Sequence, residues 1–297
     1  MRGLFRVCAL AAVISAPVLP ALAEGEAATV IHPTTPWQLD AGDEKCRLAR
    51  LYGAAPQGHL LFIEQDQPGS FVNFAIAGPT LEKVDWREPV TLRFGEIAPI
   101  HVKRYAQGVV GEYEPAILVS PRTLSGDEDR SDDLELDEKG GLPRIPTERF
   151  TEVDGLTVEQ DGEILLTLAV PTLAAALDAL NACGENFVPF WGLDLDRHRD
   201  MKSRVKWINR DRVIKRIVAQ YPTEALRRGE QGTIRFMVII DEEGEVTECR
   251  QSGVTEVNKL KSPVCREMRS ARFEPARDIN GAAMKSYYAS TIRYVLP

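Results

Sequence analysis

The cysteines are the residues of this sequence best suited to chemistry. Cys8 lies in an apolar N-terminal run, and Cys46, Cys183, Cys249 and Cys265 follow it. An even number beyond that run favours disulfides in an exported chain. Sequence alone leaves three pairings open. Pairing Cys46 with Cys183 and Cys249 with Cys265 keeps each bridge within one predicted domain. Free buried thiols and a four-cysteine metal site are the alternatives, and the absence of a C-x-x-C spacing argues against the metal site.

Two other segments carry groups that could bind a cation. The acid-rich run Asp127–Glu138 lacks a glycine at the sixth position of a calcium loop, so a solvated loop is the better interpretation. The segment from Asp194 to Asp200 places four potential ligands on alternate residues, which would share a face if the chain were extended. The favoured alternative is a charged linker whose acids pair with Arg197 and Arg199.

Enzymatic motifs are missing from the sequence. No G-x-S-x-G, H-E-x-x-H, phosphate-binding loop or Cys–His pattern occurs, and the predicted disulfides remove the cysteines as nucleophiles. The chain has four histidines, and His59 and His101 lie in apolar runs typical of ordinary packed or surface positions. We therefore expect a protein that is not an enzyme and has no cofactor.

The N-terminus has the pattern of a secretory signal. Arg2 and Arg6 precede an apolar run from Val7 to Leu22, and Ala21-Leu22-Ala23 fits a cleavage site. The run is shorter than the ~20 residues that span a membrane, and two prolines interrupt it. Export and cleavage are predicted, with an uncleaved membrane anchor as the alternative.

The remaining chain is long enough for two domains of opposite charge. Residues 24–206 contain 18 Lys and Arg against 32 Asp and Glu, whereas residues 207–297 contain 16 against 12. An acidic region is therefore followed by a basic one, and the two can attract each other. Neither has the clustered basic and aromatic residues of a nucleic-acid-binding protein. The predicted organisation is a signal peptide at 1–23, a leader at 24–36, an acidic β-rich domain at 37–190, a linker at 191–206 and a C-terminal domain at 207–297.

The acidic region is predicted to consist of strands and one closing helix. Proline and glycine turns separate apolar runs, and two of these runs form a predicted hairpin around Asp66-Gln67-Pro68-Gly69. The helix, over 171–182, places Leu173, Leu177 and Leu180 on one face, with Pro171 in the first turn and Gly184 as its cap. The predicted strands are Cys46–Tyr52, His59–Gln65, Ser70–Ala77, Val90–Phe94, Ile100–Tyr105, Ala116–Ser120 and Gly162–Val170.

The C-terminal region has the pattern of a small α+β module. A helix is predicted over Asn209–Gln220, followed by a strand at 233–240 whose second face is mixed enough to be partly covered. A turn at Gly244 leads to a returning strand, and Ser262 is a predicted cap for a short helix. The final strand runs from Tyr287 to Leu296. The predicted fold class is α+β, with three antiparallel strands packed against short helices in this module.

A set of motifs in this region resembles the C-terminal domain of the TonB energy-transducer family. The motif positions, in order, are Tyr221, Pro222, Gly232, Gly244, Ser252, Gly253, Phe273, Pro275 and Ala276, followed by the terminal strand. The resemblance implies a sheet whose last strand is an open edge. In the family this edge captures a short peptide of an outer-membrane transporter by strand addition. The positions implied to bind a partner are Tyr288, Ser290, Ile292 and Tyr294.

The resemblance implies a protein of the Gram-negative periplasm that binds another protein, either an outer-membrane transporter or another envelope protein. Here a cleavable signal replaces the family's usual membrane anchor, and a folded acidic domain replaces its proline-rich spacer. We therefore expect a binding module with no membrane span after cleavage and no nucleic-acid partner. The alternatives are an anchored energy transducer and an envelope scaffold without a peptide ligand.

Overall fold

The structure is a computed structural model that describes residues 29–124, 140–220, 227, 232–253 and 262–294. The predicted signal peptide, the acid-rich run 127–138 and the Tyr221-Pro222 motif lie outside these residues. The described chain is α+β and rich in strands, as predicted.

The acidic region forms two sheets. One has the strand order β1-β11-β10-β6-β7 and the other β2-β3-β4-β5-β9-β8. The pairings are antiparallel except for β1, which runs parallel to β11. The strands are β1 Val30–Ile31, β2 Gln38–Ala41, β3 Cys46–Tyr52, β4 His59–Gln65, β5 Phe71–Ala77, β6 Val90–Phe94, β7 Ile100–Val102, β8 Ala106–Val110, β9 Tyr113–Thr123, β10 Gly155–Gln160 and β11 Glu163–Ala169. Single 3₁₀ turns lie at Pro79–Lys83 and Thr147–Phe150.

Helix α1, Leu173–Glu185, packs its predicted leucine face into the core between these sheets. Its ends differ from the prediction. Pro171 precedes the N-terminal cap, Thr172, whose φ of 61° is left-handed, so the proline is not in the first turn. Gly184 lies within the helix and does not cap it. A Cβ at this position would meet the Gln65 side chain at 2.8 Å. The glycine therefore permits close packing, and Asn186 caps the helix.

The segment predicted as a linker is folded and packed. Helix α2, Phe187–Phe190, directly precedes it. The segment itself contains helix α3 Leu195–Arg199 and the start of strand β12 Lys206–Trp207. The extended conformation considered for 194–200 is wrong. The Asp194 side chain accepts a 3.0 Å bond from the backbone N–H of Arg197 and starts a helix there.

The C-terminal region is built around a sheet with the order β14-β13-β18, and the small pairs β12–β15 and β16–β17 lie beside it. Its elements are α4 Arg210–Ala219, β13 Gly232–Ile240, β14 Val246–Gly253, α5 Val264–Met268, β15 Phe273–Glu274, β16 Ala276–Arg277, β17 Ala283–Met284 and β18 Ser286–Tyr294. The Ser262 hydroxyl accepts a bond from the backbone N–H of Val264 at 3.2 Å. The N-terminal cap residue of α5 is Pro263, however, so the cap lies one residue after the predicted position.

The central sheet of this region is covered on both faces. Helices α4 and α5 pack on the inner face, where Phe236 and Val238 are buried. The outer face, through Met237, Ile239 and Tyr287, belongs to the same hydrophobic cluster as the acidic region's core. Strand β13 is buried on both sides for this reason, which explains its nearly continuous apolar sequence.

Within the described ranges, no helix has the length and hydropathy required to cross a membrane.

Candidate protein-interaction site

Strand β18 lies at one edge of the C-terminal sheet. It pairs antiparallel with β13 over nine residues, from Ser286 opposite Ile240 to Tyr294 opposite Gly232. Among the described strands, β18 has no second neighbour. Half of its backbone N–H and C=O groups therefore point away from the sheet and can pair with another extended chain.

The side chains predicted to bind a partner have different positions on this strand. Tyr288 and Ile292 are buried in the module's own core, and the Tyr288 ring lies 5.3 Å from Trp207 and 5.5 Å from Phe273 between centroids. Ser290 is half-buried, and the Tyr294 side chain lies outside the described part. Tyr288 and Ile292 thus hold the strand in place within the module.

The opposite side chains of β18 contact the acidic region. The Tyr287 ring packs on Trp191, with centroids 4.7 Å apart, and Ala289 is buried in the shared cluster. Ser286 is on the same side of the strand as Tyr288, and its hydroxyl lies 3.1 Å from Nε2 of the fully buried His198. The start of the edge strand is therefore fixed between two layers.

A cavity of about 260 Å³ lies between the outer face of the C-terminal sheet and the acidic region. All three strands of the sheet contribute to one wall, and the β2–β3 turn, the β4–β5 turn and helix α2 contribute to the other. Its lining includes Asp43, Glu44, Asp66, Gln67, Phe71, Phe187, Phe190, Trp191, Arg235, Arg250, Ala289, Ser290 and Thr291.

An ion-pair network joins the two regions beside this cavity. Arg235, on the outer face of β13, reaches Asp66 directly and lies 3.8 Å from a Glu64 carboxylate oxygen. Glu64 also accepts bonds of 3.0 and 2.8 Å from Arg47 and lies 3.4 Å from Lys45. Burial raises the pKa of Asp66 above its ordinary value, and the Arg235 guanidinium opposes that rise. A basic residue of the C-terminal region thus pairs with carboxylates of the acidic region, as the opposite net charges of the two regions predict.

Both predicted disulfides are present. Cys46–Cys183 joins β3 to α1 with a Cα–Cα distance of 6.0 Å, and Cys249–Cys265 joins β14 to α5 at 5.5 Å. The first bridge fixes the helix that leads directly into the aromatic wall of the cavity. The second holds the outer strand of the C-terminal sheet against a helix of the inner layer.

The family motif positions that can be described have structural roles. Gly244 has a φ of 82° in the β13–β14 turn, and its carbonyl accepts a 3.0 Å bond from the Phe273 N–H. Phe273 and Ala276 are buried, and Pro275 lies half-buried between them. Gly232 begins β13, whereas Ser252 and Gly253 end β14. These positions define the module's turns and core rather than its binding surface.

The possible cation ligands of the connector do not assemble into a site. His198 Nδ1 donates a 2.6 Å bond to the Asp194 backbone carbonyl, and desolvation lowers the histidine's pKa. Asp196 pairs with Arg199 at 3.2 Å, and Arg197 reaches Asp278 at 3.0 Å. No group of three candidate ligands that could hold a metal occurs in the described part of the chain.

Sequence reasoning missed the cavity and the network beside it. Asp66 and Gln67 were assigned to a turn, and Trp191 to the start of a linker. The available signal was Arg235. It is a single charged residue in a strand, and the residues after it, up to Ile240, are all apolar instead of alternating with polar ones. A buried position for such a residue requires an acidic partner from elsewhere in the chain.

The C-terminal sheet is thus a small antiparallel sheet that is backed by helices and has an edge strand anchored by its own side chains, an arrangement that other proteins use for strand addition. Residues 218–296 match the family model described as Gram-negative bacterial TonB protein C-terminal. The resemblance drawn from the motifs is therefore confirmed over these residues. The match covers the C-terminal sheet and leaves the acidic region unassigned, and no curated protein matches the chain. The family match supports a protein-interaction role of the TonB type, and the two disulfides fit an exported protein.

Proposed function

We propose that this protein is a periplasmic binding protein that captures an extended segment of a partner protein by strand addition to β18. The observation that carries the proposal is the nine-residue pairing of β18 with β13 at the sheet edge. An unpaired ladder of that length offers a partner several backbone hydrogen bonds, each contributing about 1 kcal/mol net. The matched family supports an envelope protein, including an outer-membrane transporter, as the partner.

The burial of β18 side chains on both faces of the sheet supports the proposal energetically. Strand addition requires an edge that does not fray when it is loaded by a ligand. Here Tyr288 and Ile292 anchor β18 on the inner side, and Tyr287 and Ala289 anchor it on the outer side. Most of the ordering cost of the receiving strand is therefore met before a partner arrives, which favours binding.

Random ten-residue peptides displayed on phage and selected on the full chain would supply a probe. Synthetic copies of the selected peptides should change the amide NMR signals of β18 more than those of β14. They should also slow hydrogen exchange at alternate residues of β18, because alternate amides face the added strand.

Proline substitutions then test the backbone directly. Ser290→Pro and Thr291→Pro remove adjacent amide donors, one of which bonds to β13 and one of which points away. The variant that has lost the outward amide should keep its thermal unfolding profile and lose peptide binding. Undiminished binding by that folded variant, or peptide-induced changes confined to β14, would overturn the proposal.

A further inference from the structure

The cavity between the two regions borders the middle of the edge strand. Ala289, Ser290 and Thr291 line it, and they lie at the centre of the proposed binding edge. A strand added beside β18 would lie about 4.8 Å away, with alternate side chains directed to each face. Side chains on the same face as Ala289 and Thr291 would point toward the acidic region, and one of them would meet the cavity.

The size of the cavity suits one side chain. Its volume of about 260 Å³ falls below the roughly 300–1,000 Å³ of pockets that enclose drug-sized ligands. Phe190, which is 53% exposed, and the exposed carboxylates Asp43 and Glu44 mark its opening to solvent. A group carried on an extended peptide could therefore enter from the surface.

The wall supplied by the acidic region is aromatic. Phe187 and Trp191 stack with centroids 5.7 Å apart, and Phe71 and Phe190 complete the aromatic part of this wall, which also includes Asn73 and Pro121. Aromatic faces attract cations and also cover apolar stems, with an energy of about 0.5–2 kcal/mol for a cation. This wall suits a long side chain with a positive end.

The lining holds acceptors that have no partner in the described chain, and its buried donor without an aligned hydrogen bond, Arg235 Nε, lies against the Asp66 carboxylate. Neither Asp43 nor Glu44 has an ion-pair partner within the described residues. The Oε1 atom of Gln67 is buried and accepts no hydrogen bond from the described chain. A buried acceptor without a donor costs about 1–3 kcal/mol, which a donor group of a ligand would recover.

The two arginines of the lining are already paired and do not reverse this preference. Arg235 is held by Asp66 and Glu64, and Arg250 lies 3.4 Å from Glu248. The charge left unpaired at the opening is therefore negative. A carboxylate ligand would have to compete with these internal pairs and approach two free carboxylates, whereas an ammonium or guanidinium would not.

We propose that this cavity recognises an arginine or lysine side chain of the peptide added to β18, and so sets the sequence preference of the binding edge. The inference rests on the proposed function, because the peptide strand delivers the side chain. Asp43, Glu44 and Gln67 accept hydrogen bonds from the cationic head, and Phe187, Phe190 and Trp191 contact its stem.

The test compares three versions of one selected peptide, with arginine, citrulline or glutamate at the position facing Ala289. Citrulline has the shape of arginine without its charge. The full chain should bind the arginine peptide about tenfold more tightly than the citrulline peptide, the effect expected of one charge-assisted contact. The glutamate peptide should bind more weakly than both. Isothermal titration calorimetry measures all three affinities.

A charge-matched pair of variants locates the effect. Asp43→Asn with Glu44→Gln removes the two carboxylates at the opening and should abolish the preference for arginine over citrulline. Glu242→Gln with Glu243→Gln makes the same change of net charge at the exposed β13–β14 turn and should leave the preference intact. If both variants lost the preference for arginine over citrulline equally, long-range electrostatics would explain that preference. The proposal that the cavity is its source would then be wrong.

The failures of the two proposals are distinguishable. Equal affinity for the arginine and citrulline peptides, with β18 protection retained, would overturn the cavity inference and leave strand addition standing. Loss of β18 protection for all three peptides would overturn strand addition and the inference that rests on it. If n-butylguanidinium bound by itself, and Asp43→Asn with Glu44→Gln weakened that binding, the cavity would be a site for free cations. The proposal that a peptide strand delivers the cation would then be wrong.

Discussion

The acidic and C-terminal regions bury their hydrophobic residues in different ways. The acidic region encloses its core between two sheets and α1, and the bridge Cys46–Cys183 closes a separation of 137 residues. The C-terminal module has one small sheet, and its bridge spans only 16 residues. This sheet completes its burial on the surface of the acidic region. A domain recognisable by its motifs can therefore still depend on a neighbouring region to bury one face of its sheet, here through Met237, Ile239, Tyr287 and Ala289.

The largest expected effect concerns the two disulfides. Replacing Cys46 and Cys183 by alanine should lower the free energy of unfolding by about 5 kcal/mol in the chain-entropy model, against about 3 kcal/mol for Cys249 and Cys265. The measurement is chemical denaturation of each double variant, followed by circular dichroism. Equal losses would show that strain or residual structure, rather than loop length, decides the contribution of each bridge.

The ion-pair network tests whether the regions are energetically joined. Arg235→Leu leaves Asp66 buried without its cation, so stability should fall by about 3 kcal/mol. Adding Asp66→Asn should recover a large part of that loss. Arg250→Leu, on the neighbouring strand and half exposed, is the control and should change stability by less than about 0.5 kcal/mol. Similar losses for both arginines would contradict the coupling.

Two glycines offer a matched comparison between the regions. Gly162 and Gly244 both occupy hairpin turns with a φ of 82°. A Cβ at Gly162 meets nothing within 4 Å, whereas one at Gly244 would lie 1.9 Å from the Phe273 carbonyl oxygen. Gly162→Ala should cost about 1–2 kcal/mol from the backbone alone. Gly244→Ala should cost more, because the Phe273 strand must also move, and thermal unfolding of the two variants gives the difference.

The smallest expected effect is a pH dependence. Burial lowers the pKa of His59 in the acidic region and of His198 beside β18. The unfolded chain binds these protons more readily, so stability is complete above the ordinary pKa of 6.5 and falls as the pH drops below it. Each histidine contributes about 1.4 kcal/mol per pH unit in that window.

Denaturation at several pH values checks this expectation. His198→Asn should reduce the slope below pH 6.5 by the contribution of one histidine, as should His59→Asn. A single transition affected by both variants would show that the regions unfold together. Two transitions, each affected by only one variant, would show that the two regions unfold separately and that the shared hydrophobic cluster does not couple their unfolding.

Local sequence patterns predicted the elements better than their arrangement. The β3, β4 and β6 strands have their predicted bounds, and both disulfides follow from the requirement that each bridge stay within one region. The pairing of β1 with β11 joins residues 137 positions apart, such as Val30 and Thr167, and no local signal specifies it. Periodicity defines which face of a strand is apolar but does not identify its neighbour.

The position of β18 at the sheet edge was predictable from the sequence, and the cavity was not. The order of the motifs fixed the position of β18 at the end of the chain, so its place at the sheet edge followed from the resemblance. The cavity combines residues from turns, strands and a helix that are distant in sequence, such as Gln67, Trp191 and Thr291. Helix α3 was missed because the alternation of Asp194 with later polar residues matches a strand, whereas its capping bond favours a helix.

The buried outer face of the C-terminal sheet has a consequence for how the protein matures. A polypeptide that emerges N-terminus first presents the surface around Asp66 and Trp191 before β13 and β18 exist. The later half buries Met237, Ile239 and Tyr287 against apolar residues that this earlier half supplies. The proposed binding edge, β18, is therefore synthesised after the surface on which it packs.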